Sequence, residues 1–139
     1  MFTPEQLSGA TTLTATTFSS VVLENKGDGT FAAHELPVEA QLSPVYAVAL
    51  LDVDQDGLKD LVLGGNQSYT RIKLSKMDAN YGMLLRNEGR FNFTCVPQWK
   101  SGLGVKGDVR DITVIKRGTG TVLLFSRNND TIKGYQLTP

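Results

Sequence analysis

The chain has one cysteine, Cys95, and one histidine, His34, among 139 residues. A lone cysteine excludes an internal disulfide and says nothing about redox compartment. With only one imidazole beside it, no zinc set of sulfur and nitrogen ligands can form. Net charge is missing too, since 14 Lys and Arg balance 14 Asp and Glu. A balanced chain lacks the electrostatic footprint of a nucleic-acid or anionic-membrane binder. No apolar run is long enough to cross a bilayer as a helix. The start, Met1-Phe-Thr-Pro-Glu-Gln6, lacks the basic and apolar regions of a signal peptide. Nucleophile elbows, phosphate loops and zinc spacings are all absent. Gly102-x-Gly104-x-x-Gly107 matches a dinucleotide fingerprint by letter only, because it does not open a helix after a strand. These absences weigh against an enzyme.

Against that background one stretch stands out: Asp52-Val-Asp54-Gln-Asp56-Gly57-Leu-Lys-Asp60. Four carboxylates around one glycine repel one another unless a cation sits between them. An all-oxygen donor set suits a hard cation, and calcium fits best. As an EF-hand the loop starts well, with Asp52, Asp54 and Asp56 at positions 1, 3 and 5 and Gly57 at position 6. Position 12, which needs a bidentate glutamate, is Leu63. The flanks, Val45-Tyr-Ala-Val-Ala-Leu-Leu51 and Leu61-Val-Leu63-Gly-Gly65, are short apolar runs that read as strands rather than helices. The loop therefore closes a β-hairpin. Its expected ligands for one calcium ion are Asp52, Asp54, Asp56, the Leu58 carbonyl and Asp60. Gly57 supplies the backbone freedom that the turn requires.

The motif, followed by Leu61-Val and Gly64-Gly65-Asn66, resembles the calcium loop of FG-GAP and VCBS repeats. Asn25-Lys-Gly27-Asp-Gly29-Thr-Phe31 resembles the hairpin that precedes such a loop in VCBS repeats. Asp78-Ala-Asn-Tyr81-Gly-Met-Leu-Leu-Arg-Asn87 resembles the blade-linking segment of bacterial proteins that join these repeats to an ASPIC/UnbV domain. The similar segments span residues 18–130. The resemblance implies the blades of an integrin-α-like β-propeller. The segment 128–137 resembles the last strand before the ASPIC/UnbV region, which implies a piece cut from a longer chain.

A weak internal repeat organises the same residues. Asn25, Gly27 and Phe31 recur as Asn87, Gly89 and Phe93, offset by 62, and Asn66 recurs as Asn128. At that offset Asp52, Asp54, Asp56 and Asp60 fall on Val114, Lys116, Gly118 and Val122. Every carboxylate is lost in the second copy, so one calcium ion is expected, not two.

Strands are predicted near 18–24, 30–36, 45–51, 60–65, 69–74, 82–87, 91–96, 109–115, 121–127 and 131–137, separated by glycine, proline and asparagine turns. Residues 74–80 have room for one helical turn. The Thr- and Ser-rich stretch 11–20 reads as strand or loop. The expected fold is all-β: about two four-stranded antiparallel blades of a larger propeller. The division is an N-terminal segment or preceding-blade strand at 1–17, a blade with the calcium loop at 18–80, and a blade with a degenerate loop at 81–139. Two blades leave edges and faces open, so the remaining blades of a parent chain, or self-association, are expected partners.

Outside the loop the residues read plainly. His34 is expected on a strand surface and Cys95 as an inert core thiol. Lys26-Gly27-Asp28 and Lys106-Gly107-Asp108 are turn sequences. Trp99, among polar neighbours, is the best candidate for an exposed aromatic on a binding surface. The expected function is a non-catalytic, calcium-stabilised scaffold for protein or glycan interaction. Calcium at extracellular concentration points to an extracellular, cell-surface or periplasmic parent. ASPIC/UnbV-type proteins are also described as RNA-binding, but no basic stripe or aromatic–basic module supports that here. A third reading makes these blades accessory to a larger exported enzyme.

Overall fold

A computed structural model describes residues 2–70, 75–118 and 120–137. Among them the fold is all-β, with nine strands in three antiparallel sheets, none of them closed. The first sheet is a hairpin, β1 (Val21–Asn25) with β2 (Phe31–Glu35). The second has four strands in sequence order: β3 (Val45–Leu51), β4 (Asp60–Gly65), β5 (Met83–Asn87) and β6 (Phe93–Val96). The third has three, β7 (Val109–Arg117), β8 (Gly120–Arg127) and β9 (Lys133–Leu137). A 3-10 turn at Val38–Gln41 links the first two sheets. A one-turn helix, α1 (Gln98–Ser101), ends on Gly102 in the left-handed region at φ 69°. Neither of these short turns is legible in the sequence pattern.

The sheets do not divide where the repeat divides. The four-stranded sheet takes β3 and β4 from one copy and β5 and β6 from the next. The repeat itself is visible in turn chemistry. Asn25 Oδ1 accepts the Gly27 N–H at 2.8 Å, and its counterpart Asn87 Oδ1 accepts the Gly89 N–H at 2.9 Å. Each glycine sits at positive φ, 81° and 84°, which is why a residue with a Cβ is disfavoured there. The predicted strand at 69–74 falls mainly on residues 71–74, outside the described ones. Residues 75–80 form no helix; Met77 makes an isolated bridge to Gln67 instead.

Period-two alternation decides how the sheets stack. One face of the four-stranded sheet carries Leu61, Leu63 and Leu85, which pack with Val22, Leu36, Phe93 and Cys95 under the β1–β2 hairpin. The opposite face carries Ala47, Ala49, Leu51 and Val62, which pack on Ile112, Leu123 and Phe125 of the third sheet. The two glycines that end β4 permit two close approaches. A Cβ on Gly64 would lie 2.6 Å from Val109 Cγ1 of the third sheet, and one on Gly65 would lie 1.8 Å from the carbonyl oxygen of Pro44, which leads into the neighbouring strand β3.

β3 and β7 share a register shift, between Val45 and Ala47 and between Val109 and Asp111. Aligning these bulges sets Tyr46, Val48 and Leu50 against Arg110, Ile112 and Val114, an offset of 64, while Gly65 and Arg127 keep the offset of 62. Ile112 is 7% exposed because the second sheet covers it, whereas its equivalent Val48 is 54% exposed. Tyr46 and Leu50 are exposed as well. The β1–β2 hairpin covers only the outer half of that face.

Candidate metal centre

The loop between β3 and β4 bends back on itself through two residues at positive φ, Gln55 at 63° and Gly57 at 89°. This turns backbone N–H groups toward the carboxylates. Gly57 N–H donates to Asp52 Oδ2 at 3.0 Å, Asp56 N–H to Asp54 Oδ1 at 3.3 Å, and Leu58 N–H to Asp56 Oδ1 at 2.7 Å. Asp60, the first residue of β4, is buried. Its Oδ2 accepts the Val53 N–H at 2.8 Å and its Oδ1 the Asn87 N–H at 2.9 Å. One carboxylate thereby pins the end of β3, the start of β4 and the end of β5.

The outcome is a cluster of three acids. Asp52, Asp54 and Asp60 each present a carboxylate oxygen, and these oxygens lie within 4.8 Å of one another. Asp52 Oδ1 is buried and has no hydrogen-bond partner. A buried carboxylate oxygen with no partner carries a desolvation cost that a cation would remove. Asp56 stands outside the cluster and caps the Leu58 N–H instead. A cavity of about 200 Å³ opens beside Asp54 and Asp60, lined also by Val53, Leu84, Arg86 and Val96. Hydrogen bonds to Glu88 hold the Arg86 guanidinium above its ordinary range, with smaller contributions from the Glu88, Asp54 and Asp56 charges. Arg86 is therefore a protein cation that the Asp54 and Asp56 charges reach.

The other singled-out residues separate from this centre. Trp99 is 79% exposed on α1, with Lys100 Nζ 5.1 Å from its ring centroid. His34 Nε2 lies 2.8 Å from Glu24 Oε2 and its ring stacks on Phe91 at 5.0 Å. Burial pushes the Cys95 thiol up, and the Glu39 charge adds to this, so a reactive thiolate is disfavoured. Of the two Lys-Gly-Asp turns, one is closed to a partner, because Asp108 is 3% exposed.

Sequence reasoning missed a second polar centre at the opposite end of β4. Asn66, at φ 84°, accepts from Ser43 Oγ and the Asn80 N–H through Oδ1, and donates through Nδ2 to the Asn80 and Gly107 carbonyls. Asp108 accepts from the Ser68 N–H and hydroxyl. These bonds tie the second sheet to the start of the third, and every member is satisfied, which suits a structural latch. The recurrence of Asn66 as Asn128 was the available signal. Asn66 N–H donates to the Pro44 carbonyl, and Asn128 N–H to the Asp108 carbonyl.

No protein-family model, curated protein or solved structure matches the chain.

Proposed function

We propose that this chain is a calcium-stabilised β-propeller repeat segment that acts as a non-catalytic scaffold for protein or glycan binding. The observation that carries the reading is the convergence of Asp52, Asp54 and Asp60, beside which Asp52 keeps a buried, unpartnered oxygen. Asp56 and the Leu58 carbonyl complete the proposed ligand set, with water filling the remaining positions. Oxygen donors of flexible geometry favour calcium over magnesium, which requires a near-ideal octahedron. Calcium here would neutralise repulsion in the loop and add its binding free energy to folding.

Two features support the propeller part of the reading. Equivalent strand pairs recur with the same bulge and the same asparagine turn. The bare strip of Tyr46, Val48 and Leu50 has the place that the covered Ile112 and Val114 have in the next sheet, as though two inner strands of a preceding blade belong over it. The exposed Trp99 is the proposed contact aromatic for a protein or glycan partner, and a calcium-replete exterior is the proposed setting. Calorimetric titration with calcium tests the reading: one ion per chain is expected, with binding lost in Asp54→Ala. Equal affinity in Asp54→Ala and the parent sequence would remove its basis.

A further inference from the structure

The turns that follow β1 and β5 are equivalent, and they differ at their tips. The offset of 62 that relates Gly27 to Gly89 also relates Gly29 to Phe91. Gly29 sits at φ 86°, a backbone that glycine adopts without steric cost. Phe91 lies in the same left-handed region at φ 61°, preceded there by Arg90 at 52° and Gly89 at 84°. Two successive residues with side chains in this region are uncommon, and a bulky one is an outlier that its surroundings must hold. Asp28 Oδ1 braces the first turn by accepting the Thr30 N–H and hydroxyl. The second turn has Arg90 at that place, which cannot accept.

Contacts on two sides hold the second turn. One side is the acidic loop. Asn87 donates its N–H to Asp60 Oδ1 and its Nδ2 to the Lys59 carbonyl, both at 2.9 Å, while Asn87 Oδ1 accepts the Gly89 N–H. A Cβ on Gly89 would lie 3.9 Å from Leu58 Cδ1, so the Leu58 side chain lies beside the turn. Leu58, Lys59 and Asp60 thus grip the turn, and the first and last of them belong to the proposed ligand set. The other side is the first sheet. The Phe91 ring stacks on His34 of β2, with centroids 5.0 Å and planes 12° apart. His34 Nε2 lies 2.8 Å from Glu24 Oε2, which also takes Lys26 Nζ at 2.7 Å, so the imidazole is held from within its own sheet.

We propose that Phe91 couples occupancy of the acidic loop to the docking of the neighbouring β1–β2 hairpin, so that calcium binding and the Phe91–His34 stack favour each other. This coupling rests on the calcium reading of the loop. The route is short. A cation on Asp60 and the Leu58 carbonyl fixes the groups that hold Asn87, Asn87 fixes the turn, and the turn presents Phe91 to His34. The strained backbone is what gives the coupling its leverage. A turn that glycine closes unaided needs both sets of contacts when phenylalanine closes it. Val22 and Leu36 keep the hairpin on the second sheet by apolar packing, so the ion adjusts one edge of an existing interface. The effect is reciprocal, as any coupling between two equilibria must be.

His34 is the one histidine of the chain, so its ring protons give a single set of nuclear magnetic resonance signals, and a stacked phenyl ring moves them. Calcium titration at constant pH, with these signals and the heat of binding followed together, tests the proposal. The His34 signals are expected to shift with the same midpoint as the heat. Phe91→Gly restores the residue that the first copy has, so the turn still closes. One ion should still bind, and the calcium-dependent shift should vanish. His34→Ala removes the stack without touching the turn and should weaken calcium binding about two- to tenfold, the range that an aromatic pair supplies. Calcium that binds without moving the His34 signals would overturn the coupling and leave the calcium reading standing. A shift that persists in Phe91→Gly, or an unchanged affinity in His34→Ala, would do the same. Absence of both heat and shift would remove the calcium reading and the coupling with it.

Discussion

The β3–β4 and β7–β8 hairpins start from equivalent bulges and close in different ways. With β3 aligned to β7, Leu51 paired with Asp60 becomes Ile115 paired with Val122. Residues 52–59 of the first hairpin then face residues 116–121 of the second, which is two residues shorter. The short version spends those residues on the ladder, pairing Lys116 with Thr121 and Arg117 with Gly120. The long version forgoes those pairs and folds a turn held by bonds from backbone N–H groups to carboxylates. The structural alignment sets Asp52 opposite Lys116 and Asp54 opposite Gly118, two residues further along than a uniform offset of 62 sets them. One hairpin is complete as a ladder. The other gathers three carboxylates and leaves one buried oxygen without a partner, the arrangement that the proposed cation would complete.

The most disruptive way to probe this contrast is Asp60→Ala. It removes a proposed ligand and orphans the Val53 and Asn87 N–H groups. A loss of about 3 kcal/mol is expected even in chelator, measured by urea unfolding, from the buried Asp60 side chain and two partly buried donors left without their acceptor. Gly57→Ala forces a Cβ into a backbone at φ 89° with no clash around it, so the cost is conformational alone. A loss of about 1 kcal/mol is expected, with a weaker calcium response because the turn no longer presents its N–H groups as well. Arg86→Gln withdraws the competing cation and should tighten calcium binding by less than about tenfold, an effect that shrinks as salt rises. The smallest effect is expected from Lys116→Asp. It restores a carboxylate at the position equivalent to Asp52, but in a ladder rather than a loop. No calcium binding should appear by titration, and stability should stay within about 0.5 kcal/mol as for other surface changes.

Much of the fold was legible because alternation and turn chemistry act locally. β3 and β4 fall at their predicted bounds, since Pro44, the Asp-rich loop and Gly64-Gly65 punctuate them on both sides. β7 and β8 run further toward each other than predicted, to Arg117 and Gly120, because polar residues at a hairpin tip can still pair. The convergence of Asp52, Asp54 and Asp60 follows from their spacing about one glycine. The displacement of Asp56 from that cluster does not follow from spacing, because it depends on which N–H its carboxylate caps. The Asn66 latch was illegible for a different reason. Its partners Ser43, Asn80 and Gly107 are distant in sequence: pairing of β3, β4 and β5 brings in Ser43 and Asn80, and the stacking of the third sheet adds Gly107.

The proposed reading of this contrast rests on a cation, and thermal melting in excess calcium against chelator tests it most directly. At calcium a hundredfold above the dissociation constant, linkage gives about 2.7 kcal/mol of stabilisation, which for a chain of this size corresponds to a rise of about 10 °C. That rise is expected in the parent sequence and absent in Asp54→Ala. Identical melting temperatures in calcium and in chelator for the parent sequence would contradict the account.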